Sequence, residues 1–184
     1  MENSADIISR IGQKRFEHSL RVMETAIKLA KNYDIDLEKV KLAAYYHDCG
    51  KIREDDKLIL ECEKYGLKLS KDMEKSHAII HGFLGAEIAK KNYGIEDEEI
   101  LDAIRYHTTL RANPTLLEKI VYIADYIEPD RNFEEVNKAR ELAEFDIDRA
   151  ILYSLDNTIK FLIDKCEYIA IDTILARNSI WEEI

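Results

Sequence analysis

The chain has 184 residues, 46% hydrophobic and 35% charged, with 6 Gly and 2 Pro. That length suits one domain, or one domain with a small helical annex, and so few turn residues exclude a strand-rich sandwich or barrel. A net charge of -10 argues against a nucleic-acid polymer or an anionic membrane as partner, but not against a small anionic substrate, because bound cations invert the local field.

The elements follow in chain order. A short helix over Ala5–Ile11 ends at Gly12. From Lys14 to Tyr33, Phe16, Leu20, Met23, Ile27 and Ala30 recur at spacings of three or four, one face of a long helix. Asp36 is placed to cap a helix running from Leu37 to about His47, which Gly50 stops. Residues 52–76 are polar and hold one helix, Asp55–Tyr65, closed by Gly66. Helices are expected over His77–Tyr93 and Asp97–His107. RANPT is a loop, since Pro114 disfavours helix at Asn113. Thr115–Ile127 is apolar on most sides and therefore central. Helices near Phe133–Ala143, Ile147–Lys165 and Asp172–Glu182 follow. The expected fold class is all-α.

Cys49, Cys62 and Cys166 form no C-x-x-C pair, so neither a disulfide framework nor a thiolate zinc site is indicated. No run approaches the ~20 apolar residues of a membrane span, and the N-terminus shows no apolar signal region. A cytoplasmic setting is the expectation.

The chemistry-bearing residues lie on or beside apolar stripes. His47-Asp48 is an imidazole–carboxylate pair at a helix end: both can bind one metal, or the carboxylate can bridge two. A helix-end His favoured by the macrodipole accounts for it equally well. His18 and His107 each sit where a lone histidine is more often a hydrogen-bonded core residue than a ligand. Asp125 interrupts IVYIADYI, and an unpaired buried carboxylate costs several kcal/mol, so it needs a metal or a distant Arg. His77 and His81 are four apart, one helical face. Gly82 and Gly85 after His81 allow close approach to a crowded centre, whereas His77 follows the charged stretch KDMEKS and belongs nearer the surface.

The ordered set His18, His47-Asp48, His81, His107, Asp125 resembles the HD-domain phosphohydrolase superfamily, in its two-metal branch. EHSLRV, AAYYHDCGK, IIHGFLGAEIA, AIRYHTT, LLEKIVYIADYIEPDR and the late ARN are similar to the YqeK family of bacterial symmetrical diadenosine tetraphosphate hydrolases, over roughly Arg15–Asn178. The resemblance implies a single HD domain over 1–184, a helical bundle with a dinuclear site in its core (about 15–130) and C-terminal helices over about 133–183. It implies one metal on His18, His47, Asp48 and Asp125 and a second on His81 and His107, with Asp48 bridging. It implies iron, with manganese or nickel open. His77 stands outside the pattern, and LRANPT departs from the Gly-Arg-Pro-like loop expected after YHTT.

Two such cations activate a water and stabilise the leaving oxygen, so Asp48 and Lys51 are the expected catalytic residues. A phosphoanhydride needs further positive charge. Lys51, Arg131 and Arg177 are the expected substrate contacts, with Thr108 and Thr109 as hydroxyl donors; Arg111 is as readily a surface charge. The expected partner is a dinucleoside polyphosphate, and a homodimer is open. The alternatives are an HD-domain phosphatase or phosphodiesterase acting on another nucleotide, and a non-catalytic nucleotide-binding module.

Overall fold

A computed structural model describes residues 3–52 and 54–184, and among them the chain is helical without a strand, as the composition requires. Helix α1 (Ser4–Ile11) ends at Gly12, whose φ of +82° continues no helix. Helix α2 (Gln13–Ala30) buries Phe16, His18, Val22, Ala26, Leu29 and Ala30, whereas Leu20, Met23 and Ile27 of the expected stripe are only half-buried, so the buried face is turned by about one residue from that expectation. The Asp36 carboxylate caps α3 (Leu37–Tyr46), accepting from the Glu38 amide at 2.8 Å. The His47-Asp48 pair occupies the turn that follows, with His47 still helical in its backbone.

Next come α4 (Asp55–Lys64), α5 (Lys71–Lys75), a 3-10 turn over His77–Ile79, α6 (Ile80–Tyr93) and α7 (Glu98–Tyr106). The single helix expected in residues 52–76 is therefore joined by a second. Ser70 nucleates it by accepting from the Met73 amide. The helix expected to begin at His77 begins at Ile80. His77 is exposed and lies in the 3-10 turn, so it does not share an α-helical face with His81.

Helix α8 (Leu116–Ile127) starts at a capping box, with Thr115 and Glu118 exchanging side-chain and backbone bonds. It is the hub. It touches α2, α3 and α7, and also α9 (Val136–Phe145) and α10 (Ile147–Asp164). That position explains its apolar circumference: Leu117, Ile120, Val121 and Ile123 are fully buried, each contributing about 1.5–3 kcal/mol of burial. Helix α11 (Ile171–Glu183) packs on α10.

Gly50 follows the turn after α3 and is not in the left-handed conformation of a helix-ending glycine, since its φ is not positive. It is a packing residue. A Cβ there would stand 2.4 Å from the Gly85 amide nitrogen, and one on Gly82 would stand 2.5 Å from the Arg105 carbonyl. These contacts let α6 close onto the His47-Asp48 turn and onto α7, bringing three histidine-bearing segments together.

Candidate metal centre

Four imidazoles converge in the core between α2, α3, α6, α7 and α8. His18, His47, His81 and His107 are all at most 7% exposed. Three of them are oriented by the backbone just before them. The Nδ1 atoms of His47, His81 and His107 each lie 2.7 Å from the carbonyl three residues earlier, on Ala44, Ala78 and Ile104. A carbonyl only accepts, so each Nδ1 carries the proton and each Nε2 lone pair turns inward. His18 sits mid-helix, where backbone carbonyls are already used. Its Nδ1 instead lies 3.2 Å from the Glu128 carboxylate, 110 residues away.

The carboxylates stand between these rings. Asp48 Oδ1 is 3.3 Å from His81 Nε2 and 3.7 Å from His107 Nε2. Its Oδ2 faces the other way, 3.7 Å from His47 Nε2, 3.9 Å from His18 Nε2 and 2.8 Å from Arg15. Asp125 Oδ1 lies 3.0 Å from His18 Nε2 and 2.5 Å from the Arg131 guanidinium. The arginine partner left open for Asp125 thus exists, and it is Arg131, six residues on.

Burial opposes ionisation of Asp48, but His47, His81 and His107 outweigh it and hold the carboxyl well below its usual value. Burial also opposes ionisation of Asp125, and the His18 bond and Arg131 more than offset it. Burial, with His81 and His47 adding to it, pushes His107 down to about 3, and burial lowers His47 too. Carboxylate oxygens facing imidazole Nε2 atoms form a donor set for a divalent cation.

Two observations fit such an ion. His47 Nε2 is buried without a hydrogen-bond partner, although a buried acceptor normally has one. His81 Nε2 and His107 Nε2 stand 3.0 Å apart; with both protons on Nδ1, two lone pairs face each other. A cation bound at each place resolves them. Two overlapping ligand groups result, His18–His47–Asp125 and His47–Asp48–His107.

Several contributing residues carry no sequence signal of the kind used above. Glu128 enters the sequence reading only inside the string LLEKIVYIADYIEPDR, yet it is 2% exposed and accepts from Arg21 at 2.8 Å as well as meeting His18. This is the carboxylate–histidine arrangement that fixes a ligand's tautomer. Burial opposes the Glu128 charge, while the Asp130 amide, Arg21 and His18 keep its carboxyl below the usual range. Arg140 braces the same loop by donating to the carbonyls of Ile127, Glu128 and Arg131 at 2.8–3.0 Å. Arg15 was likewise passed over.

The expected substrate contacts divide. Lys51 Nζ lies 3.4 Å from His81 Nε2, and burial lowers its pKa despite Asp48. Thr108 Oγ1 lies 3.2–3.3 Å from the Nε2 atoms of His107 and His81. Arg131 is on Asp125. Thr109, by contrast, is buried with its hydroxyl donating to the Leu110 carbonyl. Arg177 pairs with Asp156 at 2.9 Å and lies over Trp181. Arg111 is locked to Glu118 and Asp102 at 2.8 and 2.9 Å, and the divergent loop is tied to α11 by the Asn113 amide on Ser179.

A cavity of about 540 Å³ opens beside the centre, lined by His107, Asp125 and Arg131 and by Tyr126, Phe133 and Phe161. On the other side of Arg131 a second cleft, about 430 Å³, is lined by Lys14, Arg15, His18, Arg21 and acidic Glu128 and Asp130.

A buried His/Asp cluster on helices, in this chain order, defines a class, and the family comparison agrees: the HD domain model matches residues 15–130, a span that contains all six expected metal ligands. The chain belongs to the HD-domain family. Among similar proteins, one of Bacillus subtilis named symmetrical bis(5'-nucleosyl)-tetraphosphatase is 40% identical over 96% of this chain and 95% of its own length. One of the same name from Halalkalibacterium halodurans is 43% identical over 91% of this chain and 89% of its own. The crystal structure of a predicted HD superfamily hydrolase involved in NAD metabolism from Clostridium acetobutylicum superposes with a TM-score of 0.92 at 44% identity. It covers 98% of this chain and 96% of that one.

Proposed function

We propose that this chain is a metal-dependent hydrolase that cuts diadenosine tetraphosphate symmetrically into two ADP, using two divalent cations. The observation that carries the metal chemistry is the two-sided contact of Asp48, with one oxygen toward His81 and His107 and the other toward His18 and His47. The substrate reading rests on the relatives named above, similar along nearly their whole length. His18, His47, Asp48 and Asp125 would hold one ion and His81 and His107 the other, with Asp48 shared; iron is the proposed metal.

When bound, the ions supply Lewis acidity to the phosphoryl oxygens and lower the pKa of a water. The chain supplies the rest. Water adds to an inner phosphorus and the central bridging oxygen departs with the other half, so each product is ADP. Lys51 and Thr108, both within 3.4 Å of the ligand nitrogens, offer charge and a hydroxyl to the phosphoryl under attack. Arg131, which lines both clefts, steadies the phosphate chain. The cavity walled by Tyr126, Phe133 and Phe161 suits one adenine by stacking and apolar contact.

The test is a panel of dinucleoside polyphosphates and mononucleotides given to metal-loaded protein, with products identified. ADP as sole initial product from diadenosine tetraphosphate is expected. ATP plus AMP would refute the substrate reading while leaving a metallohydrolase, and no turnover of any nucleotide would refute both.

A further inference from the structure

The aromatic cavity accommodates one end of a dinucleotide. The other end needs a place of its own, and the second cleft has unusual electrostatics. His18, which is more than nine-tenths buried, is one of its lining residues, so the cleft adjoins the centre. Lys14, Arg15, Arg21 and Arg131 line it.

Three of those cations are paired within the protein: Arg15 with Asp48, Arg21 with Glu128 and Asp130, and Arg131 with Asp125. Lys14 has no partner among the described residues and is exposed. Without metal, the positive and negative side chains balance. Once cations occupy Asp48 and Asp125, those carboxylates no longer neutralise Arg15 and Arg131. The cleft is then left with a surplus of positive charge. A tetraphosphate bridge carries one ionised oxygen on every phosphate, and two divalent ions create a matching surplus.

The placement of Lys14 adds to this. It and Arg15 occupy the first turn of α2, which holds no acidic residue, although the helix dipole disfavours cations there. The first turns of α3, α7, α8 and α10 carry Glu38, Glu98, Glu118 and Asp148. An anion in the cleft relieves both the paired cations and the dipole.

We infer that the cleft formed by Lys14, Arg15 and Arg21, with Arg131 at its border, is a second substrate subsite that seats the far nucleoside diphosphate half and so selects dinucleotides over mononucleotides. This deepens the proposed function and rests on it.

Lys14→Glu is the decisive variant, because an acid in the first turn of α2 is compatible with the dipole and the protein should fold with an unchanged or higher Tm. Lys28→Glu makes the same charge change on an exposed face of the same helix, about 21 Å away at 1.5 Å per residue. Two readouts are taken on metal-loaded protein. One is calorimetric binding of a diadenosine tetraphosphate analogue with methylene groups replacing the bridging oxygens. The other is KM and kcat for diadenosine tetraphosphate. Lys14→Glu should raise the analogue's Kd and the substrate's KM about tenfold, the loss of one charge-assisted contact. Metal content should hold and kcat should fall less than KM rises. Lys28→Glu should shift both by less than twofold. Wild-type protein that cleaves symmetrically, with Lys14→Glu matching it or Lys28→Glu equally impaired, overturns the subsite alone. Wild-type protein that neither binds the analogue nor cleaves the substrate overturns the subsite together with the proposed function.

Discussion

The two shoulders of the centre are built by different means. On one, His47, His81 and His107 take their orientation from carbonyls three residues back along the chain, in the same helix or, for His81, in the 3-10 turn that leads into it. On the other, His18 and Asp125 depend on partners from the loop after α8: Glu128 for His18, Arg131 for Asp125, and Arg140 bracing the backbone between them. The first arrangement forms wherever the helix forms. The second exists only when α2, α8 and α9 are docked, so one shoulder is local and the other tertiary.

Asp48 joins the shoulders, and its loss should have the largest effect. Asp48→Ala should abolish hydrolysis and reduce bound metal by at least one equivalent per chain, measured by elemental analysis after gel filtration. Retention of the full metal content and most of the activity would show that the carboxylate is no bridge.

Glu128→Gln sharpens the contrast, since it keeps the size of the side chain and removes the charge that orients His18. Loss of such an outer partner typically weakens a metal site about 10- to 100-fold. Chelator competition should show one weakened equivalent and one near wild type. Equal weakening of both would mean that the shoulders are not independent.

A smaller effect is expected from acid on chelator-treated protein. Burial holds His107 down to about 3 and lowers His47 also, whereas an unfolded histidine titrates near 6.5. Between those values the unfolded chain takes up protons that the folded chain refuses. Stability should therefore be level above pH about 7 and fall below about 6.5, by at most about 1.4 kcal/mol per pH unit for each such histidine. Asp48, with its lowered value, adds a loss of the same sign at lower pH. Urea midpoints between pH 8 and 5 read this directly, and a midpoint that rises in acid would contradict it.

The same contrast explains what the sequence made legible. His47, His81 and His107 stand out because each is polar where an apolar helix meets its end, and Gly82 and Gly85 mark the crowding beside them. Asp125 stands out because charge interrupts an apolar run. Glu128 and Arg140 do not, because a carboxylate in EPDR and an arginine in KARELAEF look like ordinary solvated residues until the loop folds back. Arg15 and Lys14 left a trace that was passed over, two cations at a helix start. Arg177 and Thr109 show the opposite case: a cation and a hydroxyl in suggestive strings, whose partners in the fold, Asp156 and the Leu110 carbonyl, carried no signal in the sequence. Helix α5 was hidden because its Ser70 cap lies within a polar stretch.

The central claim is that the centre holds two separate cations, one on either side of Asp48, with His47 reaching across from the locally oriented shoulder to the ion of His18 and Asp125. Crystals of the metal-loaded protein, measured at the absorption edge of the bound element, test it most directly. Two anomalous peaks are expected, one among His18, His47 and Asp125 and one beside His81 and His107, with Asp48 between them. A single peak at full occupancy in metal-saturated crystals would contradict it.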